Sequence, residues 1–188
     1  TNTTLTLGET DVGKKISATV TYTDLQGTSE TLTSASTNAI ENKNDAPTGS
    51  VTLSGDTVEG AILSLDSSTV ADPDGLGDFA ISWLRDGETI NGVSSSQHTL
   101  TQQDVGAVII GQITYVDGGG VEETLSTSES STVANVNDDP TGSISISGDV
   151  NKGATLTLDT SSLKDEDGLG SMLFENSKVQ ERKRIKKG

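Results

Sequence analysis

Short segments of this chain alternate apolar and polar residues at every second position. In residues 16–22 (ISATVTY), every second residue is Ile, Ala, Val or Tyr. In residues 109–115 (IIGQITY), the corresponding residues are Ile, Gly, Ile and Tyr. A period of two is typical of a β-strand with one buried face and one face in water. Helical spacing is weak and confined to the last residues, so the pattern predicts an all-β protein.

The stretch from 47 to 139 contains enough alternating segments for one small β-sandwich. Turns rich in Gly, Asp and Ser separate the segments at the short spacing expected of such a fold. Trp83, the single tryptophan, falls in the third segment and is predicted to pack between two sheets. These features predict an immunoglobulin-like sandwich. Its strands are expected at 49–54, 61–66, 79–85, 88–91, 97–101, 107–116 and 121–134.

A repeat at a fixed offset of 93 residues organises the chain. The phrase NKNDAPTG at 42–49 returns as NVNDDPTG at 135–142. Residues 47–77 align with 140–170 without a gap, and 18 of the 31 positions are identical. A period of this length predicts a tandem array of whole small domains, because solenoid repeats are about 20 to 50 residues long.

The phase of the repeat predicts one complete unit between two partial ones. Residues 1–46 are interpreted as the C-terminal half of a repeat, 47–139 as a complete repeat and 140–170 as the N-terminal half of a third. Residues 171–188 do not continue the repeat, and we expect a basic tail there that is a candidate for foreign sequence. The array is therefore predicted to be interrupted at both ends of the chain.

The charge balance is strongly acidic. The net charge is −16, and residues 178–188 carry six basic residues and one acid, so residues 1–177 carry 6 − 27 = −21. Such a surface repels nucleic acid and anionic membranes and attracts small cations. The absence of cysteine excludes disulfides and thiolate metal sites, and no apolar run is long enough to span a membrane.

Several phrases at fixed spacing carry a resemblance to a known class of repeat. They are NDAPTGSVTLSGD (44–56), ADPDGLGDFAISWLRDGETINGV (71–93), TLTQQDVG (99–106) and ITYVDGGGVEETLSTSESSTVANVND (113–138). Together they resemble the immunoglobulin-like or cadherin-like repeats of giant bacterial RTX-type surface adhesins. The resemblance implies a secreted, extracellular, non-catalytic extender module in cell adhesion and biofilm formation. Its implied partners are neighbouring repeats, with a distal ligand that the sequence does not name.

The predicted topology brings acidic loops to each junction between repeats. In an immunoglobulin-like sandwich, a linker is flanked by one set of loops from the preceding domain and another from the following domain. The linker at 42–46 is thus expected to meet Glu9 and Asp11 from one side, and Asp72, Asp74 and either Asp78 or Asp117 from the other. The linker at 135–139 is expected to meet Asp56, Glu59 and Asp104, together with Asp165 and Asp167.

The linker Asn-X-Asn-Asp-X-Pro and the following Asp-X-Asp are similar to the calcium-binding segments of cadherins. Calcium takes six to eight oxygen ligands at about 2.3–2.6 Å, which both junctions are rich enough to provide. The resemblance implies that bound Ca²⁺ makes each junction rigid. The implied ligands are Asn44, Asp45, Asp72 and Asp74 at the first junction, and Asp104, Asn137, Asp138, Asp165 and Asp167 at the second.

Other interpretations remain open at this stage. Asp-Pro-Asp-Gly and Asn-Asp-Ala-Pro are also ordinary turn formers that need no metal. His98, the only histidine, is expected to be a solvated strand-end residue rather than a catalytic one. Two further functions are a ligand-binding adhesin domain that uses loops at 86–98 or 117–122, and a filament subunit whose partial repeats complete one another head to tail.

Overall fold

The structure of the chain, a computed structural model, describes residues 3–177. The chain divides into two compact units, Thr1–Asn135 and Val136–Gly188. The described residues form β-strands, turns and two short 3-10 turns, with no α-helix among them. They also contain no helix of the length and apolar character needed to cross a membrane. The all-β prediction is confirmed.

Within residues 3–135, the first unit contains nine strands and both 3-10 turns. Two strands form a hairpin, β1-β2, and the others form antiparallel sheets in the orders β3-β4-β7 and β6-β5-β8-β9. The 3-10 turns are Glu9–Asp11 and Gln102–Asp104. The strands are β1 Thr19–Thr23, β2 Ser29–Thr33, β3 Thr52–Ser54, β4 Ile62–Asp66, β5 Ala80–Arg85, β6 Glu88–Thr89, β7 Gln97–Thr99, β8 Ile109–Val116 and β9 Glu122–Ser126.

One hydrophobic core lies between the two larger sheets. Leu63 and Leu65 of β4 contribute to it from one sheet, and Ile109 and Ile113 of β8 from the other. Trp83 of β5 is completely buried in this core, and its indole N–H donates to the carbonyl of Ser95 at 2.9 Å. Every second residue of β8 from Ile109 to Tyr115 is buried, as the alternation in its sequence predicted. The two sheets are compatible with a β-sandwich.

The last predicted strand of this unit, 121–134, is shorter than expected. Regular pairing of β9 with β8 ends at Ser126. Beyond it, side-chain hydroxyls take over as acceptors: Thr127 Oγ1 accepts from the N–H of Gly111 at 3.1 Å, and Ser130 Oγ accepts from that of Ile109 at 2.8 Å. Serine and threonine can satisfy backbone groups in this way, so the segment follows β8 without forming a regular ladder.

The repeated Pro-Thr-Gly phrase makes the same backbone contact twice. The N–H of Thr48 donates to the carbonyl of Ala71 at 2.7 Å, and that of Thr141 donates to Lys164 at 2.7 Å. Gly49 follows with a φ of +82°, and a Cβ built on it would lie only 2.0 Å from the Thr69 carbonyl oxygen. Glycine is required there because residues with a side chain rarely adopt this positive φ, and because a Cβ would collide with the carbonyl oxygen.

The second unit is small, and its residues are mostly exposed over the range that the structure describes, 136–177. Its strands, β10 Ser145–Ser147 and β11 Thr157–Asp159, form one antiparallel hairpin in which Ile146 faces Leu158. Residues 171–177 have no regular secondary structure. The remainder of the predicted basic tail, 178–188, lies outside the described residues.

Candidate metal centre

The candidate site in the first unit is built on the loop that joins β4 to β5. In this loop the Asp72 side chain accepts a hydrogen bond from the N–H of Asp74 at 2.9 Å, and the Asp72 carbonyl accepts one from Gly75 at 3.0 Å. These are the contacts of an Asx-type turn, for which Asp-Pro-Asp-Gly is well suited. The turn fixes two carboxylates two residues apart.

The β8–β9 loop brings a third carboxylate to the first two. The N–H of Gly118 donates to the carbonyl of Asp74 at 3.0 Å, so the two loops are hydrogen-bonded to each other. A Cβ on Gly118 would lie 2.3 Å from that carbonyl oxygen, so only glycine permits the approach. Asp117, which precedes this glycine, is buried, with an exposed fraction of 6%.

Carboxylate oxygens of Asp72, Asp74 and Asp117 lie within 4.8 Å of one another. One oxygen of Asp117, Oδ1, accepts from the N–H of Val121 at 2.7 Å. Its other oxygen, Oδ2, is buried and has no hydrogen-bond partner among the described residues, and the same holds for Oδ1 of Asp74. Buried carboxylate oxygens without a donor are costly, and a cation would supply what they lack.

The linker adds a second group of carboxylates that shares Asp74 with the first. Oxygens of Glu9, Asp45 and Asp74 also lie within 4.8 Å of one another. The backbone N–H of Asp45 donates to Asp74 Oδ2 at 2.6 Å and thereby ties the linker to the β4–β5 loop. The pKa of Glu9 is raised, first by loss of hydration and then by repulsion from Asp74 and Asp45.

Tyr115 closes the inner side of the site. Its hydroxyl donates to Asp72 Oδ2 at 2.5 Å, and its ring packs against Phe79 with centroids 5.4 Å apart. Burial raises the pKa of Tyr115, and its hydrogen bond to Asp72 and the neighbouring negative charges raise it further. The tyrosine therefore remains a donor that holds Asp72 in place.

The side chain of Asn44 is hydrogen-bonded to the sheet. Its side-chain amide donates to Glu123 Oε1 of β9 at 2.9 Å, which again links the linker to this end of the sheet. Asn44 therefore positions the linker through its amide nitrogen, and this hydrogen bond does not use its amide oxygen, the atom expected to bind a cation.

Four of the residues predicted for the second junction lie in the second unit. The N–H of Asp138 donates to Asp167 Oδ2 at 2.7 Å, and the N–H of Asp167 donates to Asp165 Oδ1 at 3.0 Å. Asn137 donates its side-chain amide to the carbonyl of Asp138 at 3.0 Å. Asp138 Oδ2 is buried without a hydrogen-bond partner among the described residues. The linker-to-loop hydrogen bond of Asp45 and Asp74 thus recurs at the same sequence offset.

The structure gives Asp104 a role other than the expected cation ligand. It is completely buried, and its Oδ1 accepts from both Nε and Nη2 of Arg85, at 2.8 and 2.6 Å. Its Oδ2 accepts from the backbone and the hydroxyl of Thr101 and lies 3.2 Å from His98 Nε2. Both oxygens are taken up by protein donors, so we assign Asp104 to the core of the first unit.

His98 is buried, and the expectation of a solvated residue was wrong. Its exposed fraction is 5%, and its ring lies 5.5 Å from that of Trp83. Burial acts to raise the pKa of Asp104. The effect of burial is outweighed by hydrogen bonds from the Thr101 backbone, from Arg85 and from the Thr101 hydroxyl, and by the charge of His98. The pKa of Asp104 is therefore below its ordinary value. The sequence offers no local sign of this cluster, because Arg85 of β5 lies far along the chain from His98 of β7 and from the 3-10 turn that carries Asp104.

Comparison of the chain with protein-family models, with curated proteins and with solved structures finds no match. The resemblance to adhesin repeats therefore rests on the sequence phrases, and the functional proposal rests on the carboxylate geometry. Glu9 and Asp117 belong to that geometry although the expected ligand set did not contain them. The predicted topology could have identified both residues, because it placed them in loops that flank the linker at 42–46.

Proposed function

We propose that the chain is a non-catalytic extender module of a secreted bacterial surface adhesin, and that Ca²⁺ makes its junctions rigid. The observation that carries the proposal is the buried Asp117 Oδ2, which has no hydrogen-bond partner within residues 3–177, in a group with Asp72 and Asp74. Ca²⁺ fits such a group because it prefers hard oxygen ligands and tolerates irregular geometry.

The sheet orders β3-β4-β7 and β6-β5-β8-β9 support the immunoglobulin-like part of the proposal. The hydrogen bonds that recur at the 93-residue offset support a tandem arrangement. In such an array, a cation held by both linker and loop opposes bending at the junction, because it cancels the repulsion that would separate the carboxylates. The module would then act as a stiff spacer between the cell and a distal binding region.

Isothermal titration of the full chain with Ca²⁺ tests the proposal. The unaltered chain should bind Ca²⁺ and discriminate against Mg²⁺, which demands a stricter octahedral shell. Asp117→Asn should weaken binding strongly at one class of site. Glu88→Gln, which removes one exposed carboxylate from β6, should leave binding unchanged. Equal weakening by both variants would mean general attraction of cations to an acidic surface, and the proposal would fail.

A further inference from the structure

The hairpin β1-β2 exposes an apolar face that the same chain buries elsewhere. Val20 and Tyr22 of β1 are 60% and 49% exposed. Their equivalents at the 93-residue offset, Ile113 and Tyr115 of β8, are 0% and 2% exposed. The sequence of β1 is therefore that of a buried strand, and its apolar side has the character of an interface.

β1 also has a free edge. Among the described residues it pairs with β2 alone. Its equivalent, β8, pairs on that side with β5, in a register that places Ile81 opposite Ile113. An unpaired strand edge with an apolar face is a template for another strand.

The second unit exposes the complementary face. The apolar residues of and beside its hairpin are solvent-exposed, whereas their equivalents in and beside β3 and β4 are buried or half-buried in the core. The exposed residues are Ile144, Ile146, Leu156 and Leu158, and their equivalents are Val51, Leu53, Leu63 and Leu65. This unit thus carries the half of a core that β1-β2 lacks.

Residues 173–176 of the second unit correspond by offset to the start of β5. Leu173 and Phe174 are 94% and 64% exposed, and they stand where β5 has Ala80 and Ile81. Together with Ile144, Leu158 and neighbouring residues they line an open cavity of about 340 Å³. The segment has the apolar residues that a strand on the edge of β1 would need.

The complete part of the first unit shows how such halves fit together. Leu65 of β4 packs on Gly111 of β8, so closely that a Cβ on this glycine would lie 2.7 Å from Leu65 Cδ1. The equivalents by offset are Leu158 and Ala18. In an equivalent contact the methyl group of Ala18 would press mainly on the flexible end of the Leu158 side chain, so the contact can be kept if that side chain shifts.

We propose that the β1-β2 face of one copy binds the β10-β11 hairpin and residues 173–176 of a second copy. The second copy is the occupant because it supplies the apolar partners that β3, β4 and β5 supply to β8. In the proposed register Phe174 lies opposite Val20, as Ile81 lies opposite Ile113. The association is head to tail, so it continues into chains of molecules rather than closing at a dimer.

Sedimentation of the full chain across the micromolar to millimolar range tests the association. The unaltered chain should form oligomers as its concentration rises. Val20→Asp should raise the dissociation constant roughly tenfold or more, since a buried valine side chain contributes about that factor. Thr21→Asp is the matched control, because it adds the same charge to the opposite face of β1. A monomer at every concentration, or equal effects of the two variants, would overturn the proposal.

A cross-linking experiment tests the register independently of affinity. Ser82 of β5 lies opposite Gln112 of β8, and their equivalents are Glu175 and Thr19. The chain has no cysteine, so a mixture of the Thr19→Cys and Glu175→Cys variants should give a mixed disulfide under mild oxidation. Thr31→Cys, on β2, should not cross-link with Glu175→Cys. Equal yields from both mixtures would indicate random collision and contradict the register.

Discussion

The backbone N–H of Asp45 donates a hydrogen bond of 2.6 Å to Oδ2 of Asp74. This contact joins the linker at 42–46 to the β4–β5 loop, and it occupies one oxygen of a carboxylate whose other oxygen is buried without a partner among the described residues. The linker is therefore attached to Asp74, the residue that the two groups of carboxylates share. A cation bound there would strengthen the attachment, and without a cation the carboxylates repel one another.

Asp74→Asn should remove the response to calcium without damaging the fold. The amide oxygen of asparagine can still accept from the N–H of Asp45, while the loss of one charge relieves repulsion in both carboxylate groups. We expect an unchanged or slightly higher melting temperature in chelator and no rise on adding calcium. The fluorescence of Trp83, the only tryptophan, follows unfolding of the first unit. A calcium response equal to that of the unaltered chain would contradict this prediction.

Asp104→Asn should destabilise the first unit at neutral pH by about 3–5 kcal/mol, the usual cost of breaking a buried ion pair. Because the pKa of Asp104 is lowered in the folded state, its contribution is present above the unfolded pKa of about 3.9. That contribution is lost as the pH falls through the folded pKa. Urea unfolding at several pH values should show the gap between the unaltered chain and the variant narrowing in acid. A gap that does not change with pH would exclude the charged form as its source.

Gly49→Ala should cost more stability than Gly92→Ala. Both glycines have a positive φ, of +82° and +83°, so both substitutions carry a backbone penalty of about 1–2 kcal/mol. Only the alanine at 49 also collides with a carbonyl oxygen, that of Thr69, because the space around Gly92 is open. Denaturant unfolding that follows Trp83 should separate the two variants. Equal costs would show that the close contact at Gly49 relaxes freely.

Thr127→Val should destabilise the first unit by about 1–3 kcal/mol, because it leaves the buried N–H of Gly111 without its hydroxyl acceptor. Thr127→Ser keeps the hydroxyl and should retain most of the stability. The same unfolding assay compares the two variants. A valine variant as stable as the serine variant would show that the hydroxyl does not support the end of β9.

The strands and the core were largely predictable from the sequence, since alternation at period two identified β4, β5 and β8 and placed Trp83 between the sheets. The end of β9 was not, because serine and threonine hydroxyls replace regular pairing after Ser126 while the sequence keeps a strand-like composition. A pattern of residue types does not distinguish a hydroxyl acceptor from a backbone one.

The candidate site was predictable where loop topology alone decided it. Asp72, Asp74 and Asp45 converge because the linker and the β4–β5 loop lie at the same end of the sheet. Asp104 was wrongly predicted as a cation ligand because Arg85, which pairs with it, lies 19 residues earlier, on β5, whereas Asp104 lies in a 3-10 turn. Its sequence context, a short acidic turn, is shared with the half-buried Asp11, so the sequence does not separate their roles, whereas complete burial of Asp104 does.

The central claim is that calcium binds specifically at the linker and its loops. Thermal unfolding of the full chain, followed by Trp83 fluorescence, should be measured in chelator, in millimolar calcium and in equal magnesium. A specific site predicts a rise of several degrees in calcium and little change in magnesium, because a ligand that binds only the folded state stabilises it by mass action. Small and equal shifts in the two salts would mean general screening of an acidic surface and would contradict the account.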